Sequence, residues 1–131
     1  MGSFSNYLEN KVLDHIFGKN TYNTPTIYVA LSTANPNEDG SGLSEPSGNS
    51  YARKATTEND WDDASGGEID NAADLTFPQA SGNWGTITHF ALMDAASAGN
   101  MLAYGQLTVA KTIGSGDTVK FAAGDLDVTL D

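Results

Sequence analysis

The hydrophobic periodicity of this chain changes once, and that change limits its fold more than any other feature. Between Asn6 and Phe17 the apolar residues Leu8, Val12, Leu13 and Ile16 fall on one stripe of an amphipathic helix. The spacing predicts a helix over residues 6–17, with Asn6 as its cap, Glu9 three positions on as the partner of a capping box, and Gly18 as a left-handed stop. Tyr7 and Phe17 widen its apolar surface. A helix of about 12 residues is marginal alone in water, so it must lie on something.

From Thr26 onward the repeat is two. Ile27, Val29 and Leu31 share one face of a strand and Tyr28, Ala30 and Ser32 the other. Residues 51–57 alternate more weakly, and 75–77 stop at Pro78. Residues 84–93 are apolar on both faces, the mark of a central or covered strand. A turn at Ala98, Gly99 and Asn100 predicts a hairpin with residues 101–109. Residues 110–113 and 118–122, around Gly114–Asp117, read as a second hairpin, and 126–130 as a terminal strand. Seven or eight strands in one domain spanning 1–131 predict a mainly β fold: an antiparallel β-sandwich or jelly-roll-like barrel with one N-terminal helix.

Two stretches carry no such pattern. Residues 34–50 hold prolines 36 and 46 and glycines 40, 42 and 48, and read as an exposed excursion. Residues 58–74 hold Glu58, Asp60, Asp62, Asp63, Glu68, Asp70 and Asp74 with no basic residue, and read as an acidic loop. The whole chain has a formal charge of −11, with 17 acidic against 6 basic side chains, the latter dispersed from Lys11 to Lys120. Nucleic acid and anionic membrane are therefore excluded as expected partners, because both require clustered cations. Residues 1–20 contain Glu9, Lys11 and Asp14, so they do not read as a signal peptide, and no apolar stretch is long enough for a transmembrane helix. Without cysteine, disulfides, thiolate metal sites and cysteine nucleophiles are excluded together.

Little in the sequence points to catalysis. Asn35–Gly40 superficially resembles the start of a calcium loop, but its first position is Asn and Pro46 stands where the bidentate Glu belongs, so it reads as a polar turn. Asp60, Asp62 and Asp63 are the candidates for a hard cation, and calcium is the one cofactor the sequence leaves open. His15 and His89 have no metal-pair spacing, and no nucleophile elbow, P-loop or dinucleotide fingerprint is present. No enzymatic activity is expected. Trp84 reads as core, and Trp61 as a residue that recognition could use.

Residues Ser5–Gly18, Tyr28–Thr33, Trp84–Phe90 and Gly124–Asp127, in this order, resemble a family of small virion proteins of tailed bacteriophages. Members are described as tail-fibre-like or, on some capsids, as decoration or cement proteins. The resemblance runs nearly end to end and implies a structural role with no active site. It implies a virion location, which the acidic charge turns outward, since a protein facing packaged DNA should be neutral or basic. The expected function is capsid decoration, bridging major capsid subunits on the outer shell after synthesis in the host cytoplasm. The alternative is a tail-fibre or receptor-binding protein that contacts a host glycan or protein. Expected partners are the major capsid protein and further copies of the chain, for which a closed trimer would suit threefold positions. Tyr7, Leu8, Phe17 and Trp61 are the candidate interface residues, although the same helix could instead plug the open end of its own sandwich.

Overall fold

The computed structural model describes residues 2–130, and these are mainly β with a single α-helix. Among the described residues the strands are β1 (Gly2–Phe4), β2 (Tyr28–Ser32), β3 (Lys54–Ala55), β4 (Glu68–Asp70), β5 (Leu75–Thr76), β6 (Gly85–Met93), β7 (Met101–Ile113), β8 (Lys120–Phe121) and β9 (Asp127–Thr129). Helix α1 runs from Asn6 to Ile16. Seven strands form one curled sheet in the order β3-β2-β6-β7-β1-β9-β4, while β5 and β8 pair separately. All pairings are antiparallel except β1 with β9.

The alternation in the sequence sets the two faces. Register places Val29 opposite Leu92, Leu31 opposite Phe90, Phe4 opposite Ala103 and Ile69 opposite Val128, so one face is continuously apolar. Leu75, Phe77, Trp84, Val119, Phe121 and Leu126 close over it and complete the main core. The reverse face carries a smaller cluster of Ala30, Ala91, Met93 and Met101, with Leu43 of the 34–50 stretch packed against it. β6 is a central strand and forms a hairpin with β7 across residues 94–100, both as expected, and its other neighbour is β2. Asp94 accepts from the Asn100 N–H at 2.7 Å and holds that turn.

Several boundaries differ from those expected. The helix cap is Ser5 rather than Asn6: its Oγ accepts from the Leu8 N–H, and Ser5 is buried because its own N–H donates to the Leu102 carbonyl at 2.8 Å. The expected strand at 51–57 pairs only at Lys54 and Ala55. There is no second hairpin of 110–113 with 118–122. Residues 110–113 extend β7 opposite Gly85–Ile87, and β8 pairs with β5 instead. The 34–50 stretch is less exposed than its composition suggests: Pro36 is buried, and Glu45 forms a paired and bidentate contact with Arg53.

Two strands lay outside the sequence reading. β1 precedes the helix and fits between β7 and β9 because position 2 is glycine. A Cβ there would stand 2.8 Å from Phe90 Cζ and from the Tyr104 carbonyl oxygen. β4 lies inside the acidic stretch, and its central residue Ile69 turns to the core beside Val128. Asn71, fully buried, fastens this stretch down: its side chain donates to the Ala73 and Ala122 carbonyls at 2.9 Å and accepts from the Leu126 N–H at 2.8 Å.

Candidate functional site

Helix α1 uses only part of its apolar surface internally. Tyr7 and Leu8 pack against the main core, whereas Leu13, Ile16 and Phe17 are 54%, 70% and 73% exposed. No residue of the helix is fully buried. The helix therefore does not float free: its first half is anchored on the core and its last turn presents bare hydrocarbon. Full burial of such a side chain is worth about 1.5–3 kcal/mol, so the exposed parts of these three leave roughly 3–6 kcal/mol of gross hydrophobic free energy available to a partner.

Beside the anchored half lies a cleft of about 400 Å³. Its lining comes from α1, the segment that follows it, the acidic stretch and the exposed margin of the apolar sheet face: Leu8, Tyr22, Ile27, Trp61, Ile69 and Leu102 make much of it. Each wall is held by identifiable contacts. The Trp61 indole N–H donates to Thr56 Oγ1 at 3.1 Å, and Thr56 Oγ1 donates to the Ile27 carbonyl at 2.8 Å, which ties the ring to the entry of β2. A short 3-10 turn at Glu58–Asp60 delivers Trp61, with Asp60 Oδ2 accepting from the Thr57 N–H at 2.8 Å. Tyr22 is placed by its N–H bond to His15 Nδ1 and by an edge-on contact with Tyr7, whose ring also carries Lys11 at 5.4 Å. The Tyr22 hydroxyl is buried without a hydrogen-bond partner among the described residues, and burial raises its pKa, with smaller contributions from Tyr7 and Asp94.

The mouth of the cleft is acidic. Glu58, Asp62 and Asp63 line it, are exposed, and have no ion-pair partner among the described residues. Of the acids singled out from sequence, Asp60 is thus engaged in a turn while Asp62 and Asp63 stand at the rim. The carboxylates whose oxygens come within 4.8 Å of one another are a different set, Glu68, Asp70 and Asp127, across β4 and β9. These are the residues that could hold a hard cation. Burial and the charges of Asp70 and Asp127 push the Glu68 carboxyl up from its usual value, and Asp70 Oδ1 is buried without a partner among the described residues.

The remaining candidates are accounted for structurally. Trp84 is core, 3% exposed, with its indole N–H on the Asn49 carbonyl at 2.9 Å. His89 sits in β6 with its Nδ1 at 2.8 Å from Thr88 Oγ1, and burial lowers its pKa. Among the candidate interface residues, the structure brings Leu8 and Trp61 into one cleft, places Tyr7 behind Tyr22, and leaves Phe17 on the open end of the helix. Sequence reasoning missed Tyr22, Ile27 and Ile69 as cleft residues. Nothing local marks them, since the cleft exists only once the helix, the acidic stretch and the sheet meet.

No helix among the described residues is long and apolar enough to cross a membrane. On its surface this small β module keeps an apolar helix end and an acidic-rimmed cleft. Residues 3–129 match the family model described as Podophage GP4 fiber I protein gp80, and the chain belongs to that family, which makes it a structural protein of the tailed-phage virion. No curated protein matches it.

Proposed function

We propose that this chain is a non-enzymatic assembly component of the phage exterior, seated on a neighbouring virion protein through the C-terminal end of α1, and that it serves in a fibre, in line with the fibre protein that its family's description names. The observation that carries the reading is the exposure of Leu13, Ile16 and Phe17 on one helix end whose other half is anchored to the fold. Val109 and Leu130 are exposed singly elsewhere, whereas these three fall together on one helix end, and contiguous apolar surface of this kind marks a contact site. The charge of −11 supports a position away from packaged DNA and from anionic lipid. The family description supports the fibre assignment.

Decoration of the outer shell, with the major capsid protein and sister copies as neighbours, is the second reading. It is favoured by the globular form of the described residues, a curled sheet with one short helix and no shaft. In that role each copy would add an interface between shell subunits, and the repeated contacts would raise the free energy needed to separate them. Copy number and position separate the two. Quantitative mass spectrometry of purified virions, with cryo-electron microscopy of the particle, should find a small number of copies at the tail. Hundreds of copies in register with the capsid lattice would overturn the fibre assignment in favour of decoration, and absence from the particle would overturn both.

A further inference from the structure

The cleft beside α1 has a chemistry of its own. Its floor and walls are hydrocarbon and aromatic, from Phe4, Leu8, Ile27, Trp61, Leu102 and Val128, while its mouth carries the carboxylates of Glu58, Asp62 and Asp63. We propose that this cleft is a socket for an apolar side chain of another virion protein, presented on a segment that carries Lys or Arg beside it. The inference rests on the reading of the chain as a virion component and names the chemistry of its partner.

Three features select this occupant. The volume of about 400 Å³ accommodates one or two large side chains, and its lining offers an apolar group a dry environment. Sugar hydroxyls set on the floor of Phe4, Leu8, Ile27, Leu102 and Val128 would lose their hydrogen bonds to water, since the polar side chains of the cleft are confined to Tyr22 and the rim carboxylates. The three rim carboxylates have no ion-pair partner among the described residues, so a neutral or acidic segment docking over them would desolvate charge without compensation. A second copy is opposed at long range, because each copy brings a charge of −11, so the occupant is assigned to a different protein. A flanking cation reverses the sign of that contribution, and electrostatic attraction would also speed docking.

The chain has no cysteine, so a single introduced thiol reports one position. Virions assembled with Asp63→Cys and labelled with a thiol-linked benzophenone should cross-link at the cleft mouth. Mass spectrometry of the linked peptide should read an apolar residue with Lys or Arg within a few positions. Ala110→Cys serves as the control, since it is exposed and about 20 Å further along β7 than Ala103 of the cleft. In unlabelled particles, Asp62→Asn and Asp63→Asn should each weaken retention of the chain during a salt wash by roughly two- to five-fold. Cross-linking no higher than at Ala110→Cys, as a glycan occupant would give, overturns the proposal. So does a link to a sister copy or to a segment without a cation. Absence of the unmodified chain from wild-type virions would instead overturn the parent reading.

Discussion

Replacing Arg53 by Met should destabilise the fold far more than a surface substitution does. The Arg53 side chain is 5% exposed, and its guanidinium spends every face on the structure. Nε and Nη2 donate to the two Glu45 oxygens at 2.9 and 2.7 Å, and Nη1 donates to the Ala95 and Ala98 carbonyls at 2.7 and 2.9 Å. Tyr51 Oη donates to Glu45 Oε1 at 2.7 Å while accepting from the Leu31 N–H at 3.1 Å. One cation thus fastens the 34–50 stretch to the β6–β7 turn and, through Glu45 and Tyr51, to β2. Breaking a buried pair from one side costs about 3–5 kcal/mol; with Glu45 21% exposed, about 2–4 kcal/mol is expected here. For a chain of this length that corresponds to a fall in Tm of roughly 6–20 °C. Replacing both partners, Glu45→Met with Arg53→Met, should recover about 1–3 kcal/mol of the loss, because no unpaired charge remains. Urea melts of the four proteins of the cycle give the coupling directly. A single Arg53→Met variant within about 0.5 kcal/mol of the parent, the range of a surface substitution, would refute the reasoning.

The same network sets an acid limb. Burial alone would raise the Glu45 carboxyl, but the Arg53 and Tyr51 hydrogen bonds and the Arg53 charge outweigh it and hold the carboxyl below its usual value. Its contribution is therefore fully present above the unfolded pKa and is lost as pH falls through the folded one. Glu45→Gln should flatten that part of the stability profile between about pH 5 and pH 3, read by thermal melts across pH. Glu68 has the opposite sign: its carboxyl is raised, so Glu68→Gln should raise Tm at pH 7 and leave it unchanged once the parent's carboxyl is protonated. Asn71→Ala strands two carbonyls and one N–H that the side chain now satisfies, and should lower stability by about 3–6 kcal/mol in a denaturant melt.

The strands that alternate strongly were legible because alternation is written locally. Ile27, Val29 and Leu31 announce β2, and two apolar faces announce β6 as the strand that ends up between β2 and β7. β1 and β4 were not, since each is three residues whose strand state depends on a distant partner. Gly2 and Ser3 become strand only between β7 and β9, more than a hundred residues away. Glu68-Ile69-Asp70 offers one apolar residue among acids, and the acidity of its surroundings masked the single residue that turns inward. The 110–113 segment misled because the Gly114–Asp117 turn after it resembles a hairpin turn, whereas the thirteen-residue β7 continues through exposed residues 110–112 to the buried Ile113.

The candidate site was legible in pieces. Leu8 and Trp61 stand out as candidate interface residues from their type and position, and the fold places both on the cleft wall. The concentration of acids in 58–74 was visible, but its division was not: Asp60 into a turn, Asp62 and Asp63 to the cleft mouth, Glu68 and Asp70 beside Asp127. That division follows from the backbone of the stretch folding back on itself, with the Asp62 N–H on the Asp70 carbonyl at 2.9 Å and Asn71 fixing the return. That Leu13 and Ile16 stay more than half exposed beside Phe17 was hidden, because an amphipathic stripe looks the same whether its partner is the same chain or another one.

The claim that this helix end is the seat of the protein is tested most directly by competitive incorporation. Phage assembled with equal amounts of the parent chain and an Ile16→Ser, Phe17→Ser variant should carry the parent at least ten-fold over the variant, since about 2–4 kcal/mol of exposed hydrocarbon is removed from the contact. The isolated variant should melt within about 0.5 kcal/mol of the parent, because neither side chain belongs to the core. Equal incorporation of a variant that folds normally would contradict the account.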